Sequence, residues 1–354
     1  MTGFEYGNTR LRAMRSRLLR PHDYLDLMRA TDLDHLLGAL GSTDFRPDVE
    51  AAVTRFGGSR RLDEAVRGHL ARLVRTASSF YEGAIRRRID LVTRRWDLHN
   101  LRTLLRAQAS SPPVADVGPL LVPAGVIGEA ELRALAEAPG LKPMIDQMVA
   151  WGLPGPATAR ALLRAWPRYE TGGDLTVLEH ALDASFAAQL EADIGRTDDE
   201  AAELVRTEID VRNLDVALRA RRSLLGGEPL PEGEPAFLPG GTIAGSVWVS
   251  VSSELGDDEE VVRRLDAVTL PAGWPASIAA WAGHGRDQRL VRELEDAAIL
   301  RAMAGFERGD PLGIAVPVAF IAAASAEARN VRLVGRAVIH GTPLDDLEPL
   351  LLVP

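Results

Sequence analysis

One short phrase is written three times at wide spacing. Residues 94–107 read RRWDLHNLRTLLRA, residues 209–220 read IDVRNLDVALRA, and residues 326–337 read AEARNVRLVGRA. The phrases align on Asn100, Asn213 and Asn330, followed at a common spacing by Arg106, Arg219 and Arg336 and then by Ala107, Ala220 and Ala337. The asparagines stand 113 and 117 residues apart. Self-similarity at a near-fixed period constrains a fold strongly, because each copy must build the same structural unit.

Other landmarks recur at the same period. LVPAGV (121–126) precedes Asn213 as FLPGGT (237–242) precedes Asn330, and Leu178-Glu179 and Leu294-Glu295 recur at matching distances from those asparagines. Three copies of a unit of about 115 residues are therefore predicted, spanning 1–118, 119–228 and 229–354. The Gly- and Pro-dense stretches SSPPVADVGP (110–119) and LLGGEPLPEGEPAFLPGG (224–241) divide them and read as linkers rather than sites.

Each copy reads as helix. Leu98, Leu101 and Leu105 fall on one stripe of period 3.6, as do Val211, Leu214 and Leu218; the third stripe is Val331, Val334 and Val338. Gly335 stands where the other copies have leucine, which predicts close approach of a neighbouring backbone. Leu11, Met14 and Leu18 stripe an arginine-rich helix ending before Pro21, and residues 62–107 predict long helix with a break near Arg94. SVWVSVSS (246–253) alternates like a strand, yet it occupies the place of the helical GEAELRAL in the second copy and is read as helix.

Known catalytic chemistry finds little foothold. The 354 residues contain no cysteine, so disulfides, thiolate metal sites and a cysteine nucleophile are out. A single lysine, Lys142 in GLKP, rules out a phosphate-binding GxxxxGK[ST] loop. The histidines at 22, 35, 69, 99, 180, 284 and 340 make no HExxH, and GGTIAG (240–245) is too loose for a dinucleotide loop. His180 and Asp183 share a helix face, where a surface hydrogen bond is the expected relation. The most apolar uncharged run, 311–326, has 16 residues and two prolines, short of the roughly 20 needed to span a bilayer. The N-terminus lacks the order of a signal peptide, so a soluble protein is expected, with any membrane association made through a partner.

The repeated residues point first to architecture. An asparagine recurring at one position of three helices suits an internal bond to backbone, and the arginines six residues on suit a helix C-terminus or a nearby carboxylate. Net charge is −9, but residues 1–118 carry 20 basic against 14 acidic side chains, while the two later thirds are acidic. Such polarity can orient a chain on a charged partner.

With these motifs in order, the chain resembles the C subunit of the V-type or A-type rotary ATPase, the counterpart of the d subunit of the eukaryotic V-ATPase. NTRLRAMRSRLLRPHDYLDLM (8–28), LGSTDF (40–45), RRWDLHNLRTLLRAQA, EIDVRNLDVALRAR (208–221), DPLGIAVPVAF (310–320) and EARNVRLVGRAVIHG (327–341) carry the likeness, which runs through essentially the whole chain. The resemblance implies an all-α fold of three similar helical domains set around a pseudo-threefold axis as a funnel. It implies no catalytic site and no cofactor. It implies a socket on the cytoplasmic face of the membrane proteolipid ring that receives the central shaft, made of the D and F subunits. On this reading Arg10, Arg12, Arg15, Arg86, Arg87 and Arg88 of the basic first copy are candidate partner contacts. FIAAASAE (320–327) departs from the charged residues that relatives carry there. A free-standing helical scaffold is the alternative, against which the period is about three times that of common helical repeats. A nucleic-acid binder is disfavoured by the acidic chain and its few aromatics.

Overall fold

Every regular element among the described residues of this computed structural model is helical; those residues are 3–110, 117–195, 197, 199–227, 237–282, 287–343 and 347–353. The helices pack as two units: residues 1–154 together with 302–354, and residues 155–301. These packing units divide the chain differently from the sequence repeat.

In the first unit, α1 (Glu5–Arg15), α2 (Pro21–Met28), α3 (Leu33–Leu40) and α4 (Arg46–Arg55) lead to α5 (Arg60–Ser79) and α6 (Gly83–Ser110). Local chemistry sets several of these bounds. Pro21 opens α2, where its missing N–H costs nothing, and the Asp32 carboxylate accepts the His35 N–H to cap α3. The predicted break near Arg94 is misplaced. Arg94 lies inside α6, and the interruption falls at Phe80–Glu82, where Gly83 takes a left-handed φ of +58°. That bend turns Tyr81 inward, and its hydroxyl donates to Asn8 Oδ1 at 2.6 Å. On α6 the buried stripe is Leu101, Leu104 and Leu105, with Leu98 only half-buried, so the helix is rotated relative to the predicted face.

After α7 (Glu129–Ala136) and α8 (Leu141–Trp151), the second unit contains α9 (Pro156–Gly172), α10 (Thr176–Ile194), α11 (Glu200–Leu225), α12 (Gly245–Ser252), α13 (Asp258–Asp266) and α14 (Trp274–Ala282). SVWVSVSS is helix: Trp248, Val251 and Ser252 are buried at i, i+3 and i+4, against Val211, Leu214 and Leu218 of α11. Trp274 and Trp281 complete that core.

α15 (Asp287–Met303) and the short α16 (Gly305–Arg308) lead to α17 (Ala315–His340), which returns to the first unit and packs on α1, α2, α3 and α5. α17 is buried almost all round from Ala315 to Ala337, the pattern of a central core helix. The departure FIAAASAE follows from that position, since alanines let neighbouring helices approach where charged side chains would be buried. Gly335 is likewise a packing residue, but its close neighbour is a side chain and not a backbone: a β-carbon there would collide with Leu62 Cδ2. Restoring the leucine of the other copies, Gly335→Leu, should therefore destabilise the first unit by about 1–3 kcal/mol through overpacking. A lowered urea midpoint is the expected result, and an unchanged or raised one would refute the packing account.

Candidate functional site: a repeated acid and asparagine clamp

The three motif asparagines lie at corresponding places on α6, α11 and α17, all buried, and each grips one residue of a downstream strap by both backbone groups. Asn100 Nδ2 donates to Val122 O at 2.8 Å while its Oδ1 accepts Val122 N–H at 2.7 Å. Asn213 does the same with Leu238 at 3.0 and 2.8 Å, and Asn330 with Leu352 at 2.9 and 2.9 Å. A carboxamide is the one short side chain that presents donor and acceptor side by side, as a neighbouring β-strand would. The strap backbone thus satisfies its polar groups without a sheet.

One helical turn earlier each copy has an acid. Asp97 accepts the N–H groups of Val126 at 3.0 Å and Ile127 at 2.9 Å; Asp210 accepts those of Thr242 at 2.8 Å and Ile243 at 3.2 Å. The glycines of LVPAGV and FLPGGT are explained here, because a β-carbon on Gly125 or Gly241 would strike the Asp97 or Asp210 carboxylate. Burial pushes the Asp97 pKa up to about 7 and that of Asp210 to about 6, against the lowering effect of the two backbone donors on each.

Eight residues beyond the asparagine comes a third hold. Gln108 Nε2 donates to the carbonyls of Leu135, Ala136 and Ala138 at 3.3, 3.0 and 3.1 Å. At the same place in the second copy, buried Arg221 reaches Glu254 O, Gly256 O and Asp258 Oδ1 at 2.9, 2.8 and 2.7 Å. Both residues close the loop after the short helix that follows the strap. The far end of the second linker is thus built into the fold at Leu238, and at the far end of the first Val117 is buried; residues 111–116 and 228–236 lie outside the described residues.

In the third copy the acid is Glu327, and its partners come from the beginning of the chain. Oε1 accepts Leu19 N–H at 2.7 Å, and Oε2 lies 2.9 Å from His69 Nε2. His69 Nδ1 lies 3.2 Å from Asp48 Oδ2, which Arg72 also holds at 2.8 Å, and Arg72 reaches Asp44. His69 and Glu327 are 1% and 3% exposed, and Phe45 stacks on the imidazole at 3.6 Å between centroids. α17 is covered by α2 and α3 as α6 is covered by α7 and α8 and α11 by α12.

The repeated arginines behave differently from the asparagines. Arg106, Arg219 and Arg336 are exposed, and Arg219 pairs with Asp215 on its own helix. Of the candidate partner contacts, Arg15 pairs with Glu307 at 2.5 Å and covers the Phe306 ring, Arg86 pairs with Asp90 at 2.7 Å, and Arg10 lies over the Phe80 ring. Arg12 and Arg87 are exposed, and Arg88 is half-buried. Asp183 accepts from Arg212 at 2.5 Å. The acids Asp97, Asp210 and Glu327 and the pair Gln108 and Arg221 are missing from the sequence-predicted set; the acids were visible as a D/E three residues before each asparagine.

A family model described as ATP synthase (C/AC39) subunit matches residues 7–349. The C subunit of the V-type ATP synthase of Deinococcus radiodurans is 25% identical over 348 residues, covering 97% of this chain and 90% of the relative. The C subunit of the A-type ATP synthase of Haloferax volcanii is 26% identical over 366 residues, covering 99% of this chain and 97% of the relative. That of Methanothermobacter thermautotrophicus is 25% identical over 338 residues, covering 94% and 83%. With clamp residues recurring in three copies and a match running nearly end to end, the chain belongs to the ATP synthase (C/AC39) subunit family.

Proposed function

We propose that this chain is a non-catalytic central-stalk subunit of a V/A-type rotary ATPase, a socket linking the D and F subunits of the central shaft to the membrane proteolipid ring on its cytoplasmic face. In this reading three copies of one helical unit stand around an axis as a funnel, and rotation passes through them to the ring, coupling ATP turnover to ion transport. The observation that carries the reading is the family match over residues 7–349. The clamp supports it physically: a part that transmits torque must resist peeling of its connections, and buried paired hydrogen bonds hold each strap to its helix. No described helix is long and apolar enough to cross a membrane.

Purification of the membrane complex through a tag on this chain tests the reading. Co-elution with shaft and proteolipid subunits is expected; recovery of the chain alone from intact membranes would overturn it. Replacing exposed Arg12 and Arg87 by Ala should make the assembly come apart at lower salt, because exposed ion pairs are screened within about 10 Å at 0.1 M. Identical salt midpoints would remove these two arginines from the interface.

A further inference from the structure

The outer face of α9 carries a row of like charges. Thr158, Ala159 and Leu162 are buried on one side of this helix, where α10 packs and the Thr158 hydroxyl donates to Gln189 Oε1 at 3.4 Å. The other side presents Arg160, Arg164 and Arg168, one turn apart and all exposed, with Leu163 and Pro167 exposed beside them. Among the described residues no carboxylate pairs with these three arginines, and Arg160 donates only to the Pro156 carbonyl of its own helix. Glu170, the one acid of α9, stands two residues beyond Arg168 and so off the row. Elsewhere the chain sets an acid one turn from its cation: Glu50 for Arg46, Asp90 for Arg86, Glu129 for Arg133, Asp146 for Lys142 and Glu293 for Arg289. Like charges at i and i+4 weaken a helix, so the row on α9 is unfavourable until something negative lies along it.

We propose that the outer face of α9 is a docking surface for an acidic helix of a partner protein, one that carries carboxylates a turn apart. Spacing and charge select this occupant. Residues four apart rise about 6 Å along a helix, so a second helix with acids at every fourth place meets all three guanidinium groups in register. Each guanidinium can hold a carboxylate through two parallel N–H bonds, and Leu163 and Pro167 add apolar contact along the edge of the row. A lipid surface fits less well, because a helix lying on a membrane turns its apolar side outward and α10 covers that side of α9. The surface is argued from α9 itself and stands whether or not the chain serves as a rotor subunit.

The probe is a dye-labelled helical peptide of alanine and glutamine with glutamate at every fourth place. Its control has the same composition with glutamate at every fifth place, which scatters the charges round the helix. Titrated into the purified full chain at about 0.01 M salt, where charges act over roughly 30 Å, the first peptide should bind about tenfold tighter than the control. Arg164→Glu should remove that preference and yet raise the melting midpoint, because the new carboxylate stands one turn from both Arg160 and Arg168. A purely structural role for Arg164 predicts a lowered midpoint instead. Arg29→Ala, which removes an exposed cation paired with Asp26, should leave the preference unchanged. Equal affinity for the two peptides, no binding of either, or a preference that survives Arg164→Glu would overturn the proposal. So would binding to vesicles of phosphatidylserine and phosphatidylcholine that Arg164→Glu abolishes while neither peptide competes for it.

Discussion

Replacing Glu327 by Ala should destabilise the unit formed by residues 1–154 and 302–354 by about 3–5 kcal/mol, the range for removing one partner of a buried charged pair. The effect is large because two donors lose their acceptor at once, and that acceptor is a carboxylate only 3% exposed. Leu19 N–H is left without its bond and the His69 imidazole keeps only the Asp48 side, with Arg72 close by. Glu327→Gln retains a single acceptor oxygen and should cost less, about 1–3 kcal/mol. The two variants also differ in pH dependence. Burial works against a charged His69, but hydrogen bonds to Asp48 and Glu327 outweigh it and its pKa is raised. A histidine raised in the folded state contributes its stabilisation in full below its unfolded value of about 6.5 and loses it as pH rises through the folded value. The stability gap between wild type and Glu327→Gln should thus be widest near about pH 6 and narrow towards about pH 9. Urea midpoints at the two pH values decide: a gap that stays constant or widens would mean that His69 does not hold this joint as a cation.

Helical class and the asparagines were legible for one reason: both repeat. Periodicity exposes a stripe, and three aligned copies expose an invariant residue even when each match is short. The acids escaped because the third is Glu327, whose partner Leu19 lies 308 residues upstream instead of in a following strap. Gln108 and Arg221 escaped because the same task, donating to loop carbonyls, is done by unlike side chains, while Val338 holds that place in the third copy. The start of the second strap, 237–241, was read as linker since glycine and proline density reports missing regular structure and not missing contacts. Gly125 and Gly241 are glycine because a carboxylate occupies the space of a side chain. The break assigned to Arg94 falls inside α6; the interruption lies instead between Ser79 and Gly83, whose positive φ opens α6. Nor could local pattern reveal that α17 belongs with α5, since pairing over some 250 residues leaves no trace in a 3.6-residue period.

The clamp itself is tested most sharply at Asn213. Asn213→Ala removes two hydrogen bonds and leaves both backbone groups of Leu238 without their partner, an expected loss of about 2–4 kcal/mol in the unit of residues 155–301. Two packing units make a single two-state fit unsafe, so the loss is to be read from the transition of that unit in calorimetry. Asn213→Asp separates the clamp from mere space filling, because it keeps the shape and exchanges one donor for an acceptor. At neutral pH a carboxylate oxygen then faces the Leu238 carbonyl, and the variant should be at least as unstable as the alanine. On acidification the new carboxyl takes up a proton and can donate in place of the lost NH2, so part of the stability should return below about pH 5 while Asn213→Ala shows no such recovery. An aspartate variant that is milder than alanine at neutral pH, or whose deficit does not change with acid, would show that the paired donor and acceptor are not what secures the strap.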